Sequence, residues 1–136
     1  MSSDSAPKPD SDASLDVLIV EDEVLIAMDL EIQIEEAGHS VVGMAVDVDS
    51  CQAAARTARP DVVLMDLRLR GGDCGEDAAR WLREELDVPC IFLSGNIDEA
   101  RVARLNSLSP VAIIGKPLLS GRLTAALAKV CHGDTV

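Results

Sequence analysis

The chain has 136 residues, of which 24 are acidic and 12 basic, giving a formal charge of −12. That charge argues against nucleic acid as a direct ligand, because phosphates would be repelled, and it suits a cationic partner or a metal. With 48% hydrophobic residues the chain can bury a core, yet Phe92 and Trp81 are the only aromatics, so that core must be aliphatic.

Residues 1–14, MSSDSAPKPDSDAS, hold nothing to bury and read as a flexible tail ahead of one domain over 15–136. The tail lacks the apolar stretch of a secretory leader, and no apolar run reaches the roughly 20 residues of a membrane span. A cytoplasmic protein without membrane attachment is expected. Short β-branched runs then follow at 16–20, 39–46, 61–65, 89–93 and 111–114. Stretches of helical character lie at 23–37, 49–58, 75–86, 97–107 and 120–131. Gly38 suits the end of the first helix, Asp49 or Ser50 the start of the second, and Ser120 the start of the last. Five strands, each followed by a helix, read as α/β with a parallel sheet. The first, third and fourth runs are almost wholly apolar, as strands covered on both faces must be, and the second, with His39 and Ser40, reads as an edge. Cys51, Cys74, Cys90 and Cys131 are widely spaced and make no CxxC pair, so they read as reduced thiols rather than zinc ligands.

In a parallel sheet the residues just after each strand gather on one edge, where such folds bind ligands. Those positions hold Glu21 and Asp22, Asp66, Ser94, and Lys116. Three carboxylates brought together repel, and one answer is a bound cation. An all-oxygen site with few protein ligands and room for water suits Mg²⁺. The same rim fits phosphoryl chemistry. Asp66 is the natural carboxylate nucleophile, Ser94 can donate its hydroxyl, Gly95 lets the backbone approach closely, and Lys116 can pair with a phosphoryl oxygen.

The segments LIVEDE, VVLMDLRL, IFLSGN and IIGKP, in that order and spacing, resemble the signatures of two-component response-regulator receiver domains. The resemblance covers about residues 15–131. It implies a (βα)5 flavodoxin-like, doubly wound sheet of order 2-1-3-4-5. It implies that Asp66 accepts phosphate from a histidine kinase or histidine phosphotransfer protein. Glu21, Asp22, Asp66 and the main-chain carbonyl of Arg68 would serve Mg²⁺, and Ser94, Gly95 and Lys116 the phosphoryl group. It also implies a cis peptide between Lys116 and Pro117. A chain ending soon after the last helix would signal by contact with a downstream protein or by relaying phosphate, as a monomer or weak dimer.

Two features depart from the commonest pattern. Many receivers carry Tyr or Phe three residues before the lysine as a switch, and this chain has Ile113. The FLSG segment resembles a variant class with Phe-x-Thr/Ser-Gly after the fourth strand. A receiver-fold binding module regulated without phosphorylation is therefore the alternative. A haloacid-dehalogenase phosphatase would want a second Asp two residues after the nucleophile, where Arg68 stands. Magnesium-dependent labelling by a small phosphodonor separates these readings.

On the first helix, Ile26, Leu30, Ile34 and Ala37 form one apolar stripe, assigned to the sheet. Leu25, Met28 and Ile32 form a second stripe on roughly the opposite side, where a helix of this kind is ordinarily polar. Receivers dock their kinases at this end of the first helix, so these three residues are expected to form the partner's docking surface.

Overall fold

The computed structural model describes residues 14–72, 74–95, 98–116 and 121–131. The tail expected over 1–14 lies outside them apart from Ser14, as do Pro117, and with it the cis peptide, and Ser120. Five strands run β1 Asp16–Val20, β2 Ser40–Ala45, β3 Val62–Asp66, β4 Cys90–Ser94 and β5 Ala112–Gly115. Each is followed by a helix: α1 Val24–Glu36, α2 Val48–Ala58, α3 Gly75–Leu86, α4 Glu99–Asn106 and α5 Arg122–Cys131. All strand pairs are parallel, in the order β2-β1-β3-β4-β5. This is the flavodoxin-like arrangement expected from the sequence.

Side chains alternate along a strand, and here the alternation divides the core into two layers. Leu18, Val20, Val63, Met65 and Phe92 pack with Cys51 and Ala55 of α2, Ala78 and Leu82 of α3, and Leu105 of α4. Val17, Ile19, Leu64, Ile91 and Leu93 pack on the other face with Ala27, Leu30 and Ile34 of α1 and Leu123 and Leu127 of α5. Every residue of β3 and β4 is buried, whereas β2 at the edge buries only Ala45 fully. Trp81 of α3 is half-buried against the first layer, and the guanidinium of Arg56 from α2 lies over its ring, 4.9 Å from the centroid.

The helix ends follow local chemistry. Asp47, rather than Asp49 or Ser50, caps α2: its Oδ1 accepts the Ser50 N–H at 2.8 Å while the Asp47 N–H donates to Ser50 Oγ at 3.2 Å. Ser50 thus serves as the reciprocal member of the capping box. Gly38 follows α1 at φ +94°, the backbone region where a Cβ is penalised. The buried face of α1 is Ala27, Leu30 and Ile34, with Ile26 half-buried beside it and Ala37 half-buried at the C-cap. The inward stripe is therefore rotated slightly from the one assigned to Ile26, Leu30, Ile34 and Ala37.

The buried thiols are chemically quiet. Burial pushes Cys51 up to about 12 and raises Cys90 further, so neither is a thiolate at neutral pH.

Candidate functional site

The strands deliver their terminal residues to one edge. The Glu21 N–H donates to the Ala45 carbonyl at 2.9 Å, which carries the β1–β2 ladder one residue past the strand. Asp66 ends β3, and the Leu67 N–H donates to Leu93 O at 3.2 Å. Lys116, just past β5, donates its N–H to Ser94 O at 2.8 Å. These main-chain bonds fix where the side chains leave the sheet.

The side chains converge. Lys116 Nζ lies 2.9 Å from Asp66 Oδ2 and 3.4 Å from Glu21 Oε1. The other carboxylate oxygen of Asp66 accepts the Arg68 N–H at 3.0 Å. Glu21 Oε2 accepts the Glu23 N–H at 3.1 Å. Glu21, Asp66 and Ser94 are the buried polar residues among those described. A cleft of about 390 Å³ opens over Asp66 and Ser94, lined also by Asp22, Arg68, Arg101 and Lys116 among others. Gly95 lies exposed on the same wall.

One carboxylate oxygen from each of Glu21, Asp22 and Asp66 can lie within 4.8 Å of the others. Lys116 offsets one of the three negative charges. The donor set is all-oxygen and hard, with Glu21 sealed from solvent and Asp22 facing the cleft, a combination that fits Mg²⁺. Glu23, the N-cap of α1, makes no side-chain capping bond.

The charges perturb each other. Burial, and then the hydrogen bond and charge of Asp66, push Glu21 up from 4.5 to about 7. Lys116 is pulled down by partial burial, but its bonds to Asp66 and Glu21 outweigh this and hold it above its ordinary value. A carboxyl that binds its proton more tightly when folded adds stability below its unfolded pKa and loses it as pH rises through the folded one. In chelator, thermal stability is therefore expected to fall between pH 4.5 and about 7 through Glu21, by up to about 3 kcal/mol. Glu21→Gln should flatten that part of the profile. An unaltered profile in the variant would remove Glu21 as its source.

Arg101 was not singled out by sequence reasoning. It stands on α4, seven residues past Ser94, and its Nη1 donates to Ser94 Oγ at 3.4 Å. Nothing in the polar sequence of α4 separates Arg101 from Arg104, which instead reaches Glu76 of α3 at 3.0 Å. Ile113 is half-buried against the α2–α3 layer and offers no ring. On α1, Leu25 is 81% exposed, Met28 50% and Ile32 54%, with Val24 beside them at 63%.

Known proteins share the family and the fold. Residues 17–128 match the family model of the response regulator receiver domain. The phyllosphere-induced regulator PhyR of Methylorubrum extorquens is 33% identical over 120 residues, 88% of this chain and 44% of that protein. The solution structure of the Erythrobacter litoralis PhyR receiver domain superposes with a TM-score of 0.77 at 30% identity, covering 88% of this chain and 91% of that one. The crystal structure of the anti-anti-sigma factor PhyR from Bartonella quintana gives 0.71 at 27%, covering 89% of this chain and 48% of that one. The chain thus spans about half the length of these full PhyR proteins. The fold, the acidic cluster beside a lysine and the family match agree, and the chain belongs to the response-regulator receiver domains of two-component systems.

Proposed function

We propose that this receiver accepts a phosphoryl group on Asp66 from the phosphohistidine of a histidine kinase or phosphotransfer protein. The observation that carries the reading is the placement of Asp66. It ends the central strand, is 5% exposed, touches Lys116 and opens onto the cleft. An Asp66 carboxylate oxygen bonds to phosphorus as the P–N bond breaks, and the bonding pair returns to the imidazole nitrogen. Lys116 neutralises charge on the phosphoryl oxygens, and Ser94 and the Gly95 main chain offer further donors. Mg²⁺, held by Glu21, Asp22, Asp66 and the main-chain carbonyl of Arg68, would supply the remaining charge neutralisation. The buried edge keeps competing water from much of the carboxylate.

The histidine-bearing partner docks on Leu25, Met28 and Ile32 of α1. These form an exposed apolar row beside the end of β1, where single exposed apolars are ordinary but a row is not. Downstream, the chain acts through a protein. The net charge of −12 disfavours DNA, and a relative from Bartonella quintana is an anti-anti-sigma factor.

Both parts are tested together. Acetyl phosphate with Mg²⁺ should label the protein, and chelator should abolish the label. Leu25→Ser with Ile32→Ser should slow transfer from a phosphorylated partner several-fold while acetyl phosphate labelling stays unchanged. No labelling of the unaltered protein by any donor would favour a module regulated without phosphorylation. Full partner transfer to the double variant would move the docking surface elsewhere.

A further inference from the structure

Helix α4 is weakly anchored. Leu105 is its one fully buried residue, and its links to neighbours include two arginines of different destination. Arg104 reaches Glu76, at the start of α3. Arg101 reaches into the cleft over Asp66 and donates to the Ser94 hydroxyl. At 3.4 Å that bond to a neutral oxygen is long, and so weak. Of the other cations lining the cleft, Lys116 is already engaged by Asp66 and Glu21, and Arg68 contributes its main-chain N–H to Asp66.

We infer that Arg101 is a second phosphoryl-binding cation, and that it transmits occupancy of Asp66 to α4. The inference rests on Asp66 being the phosphoacceptor. A phosphoryl group on Asp66 puts two or more negative oxygens into the cleft that Arg101 lines. Guanidinium bonds to such oxygens are shorter and stronger than a bond to a neutral hydroxyl. Arg101 therefore exchanges Ser94 for the phosphoryl group, and Ser94 is released to donate its own proton to the same group. Because α4 has one buried residue to hold it, the guanidinium carries the helix with it. The aromatic switch missing at Ile113 is replaced by a cation working from the other side of the cleft.

The test uses the intact protein with Mg²⁺ and beryllofluoride as the phosphoryl mimic. Arg101→Gln should weaken beryllofluoride binding about tenfold or more, the loss of a hydrogen bond to a charged group. It should also remove the mimic-induced amide shifts of α4 and slow, without abolishing, the labelling of Asp66 by acetyl phosphate. Arg101→Lys should recover part of the affinity. Arg104→Gln, which cuts the Glu76 link but does not touch the cleft, should bind the mimic as the unaltered protein does. Unchanged affinity and unchanged α4 shifts in Arg101→Gln would overturn the inference. So would an equal loss in Arg104→Gln, since the effect would then come from displacing α4. A protein that takes no label at all would instead refute the phosphoacceptor reading on which the inference stands.

Discussion

Asp66→Asn is expected to abolish labelling completely and to leave the metal-free protein as stable as before, or more so. The amide has the shape of the carboxylate but only one oxygen, so it can accept from Lys116 or from the Arg68 N–H, which bond to different oxygens of Asp66 in the structure, and the bond it gives up offsets part of the relief from repulsion. It has no nucleophilic oxygen. It also takes one negative charge away from Glu21, whose raised pKa owes its second-largest contribution to Asp66. Burial of Glu21 remains, so its pKa should drop only part of the way. Lys116 loses one of two carboxylate partners, which offsets some of the gain. Mass spectrometry after acetyl phosphate treatment, with urea denaturation alongside, reads both effects. An undiminished acid-stable label on the variant would mean a different phosphoacceptor.

Gly75→Ala should be the most destabilising single methyl that can be added beside the site. A Cβ at this position would overlap the main-chain carbonyl oxygen of Asp66 and lie 2.9 Å from the Leu67 Cα. Both are backbone atoms at the end of β3, so no rotamer change relieves the clash. Either α3 retreats or the end of β3 bends. Overpacking ordinarily costs about 1–3 kcal/mol, and a clash with immobile backbone belongs at the top of that range or above it. The Gly75 N–H bond to Leu67 O, 3.2 Å long, would be lost in either case. Slower labelling at Asp66 should accompany the lost stability. A variant within about 0.5 kcal/mol of the unaltered protein would show that α3 can shift freely against β3.

The strands and the acidic rim were legible in the sequence because both are statements about the chain itself. An uninterrupted apolar run that stops at a charged residue records where a strand leaves the core, and Val62–Asp66 does so literally. What stayed hidden depends on how separate elements meet. Arg101 belongs to the cleft only because α4 brings it back to Ser94, and α4, with Leu105 its one buried residue, has no apolar face that announces this placement. Gly75 stands at the start of a predicted helix, and nothing in the sequence shows that α3 is pressed there against the main chain at the end of β3. The stripe on α1 was misplaced by the small Ala27, which packs inward yet adds little to an apolar pattern. The α2 cap was missed by two residues or more because Ser50 is a good cap by type, and the structure uses it from inside the helix.

Trp81 gives the two-layered core an optical consequence. With one tryptophan and no tyrosine, the near-ultraviolet emission of this protein arises at a single ring. That ring sits at the seam between α2 and α3, under Arg56 and on the sheet face opposite α1 and α5. Fluorescence therefore follows the opening of one layer alone, whereas far-ultraviolet circular dichroism averages helices from both. Coincident midpoints from the two signals would mean that the sheet releases its faces together, and separated midpoints that one face comes away first.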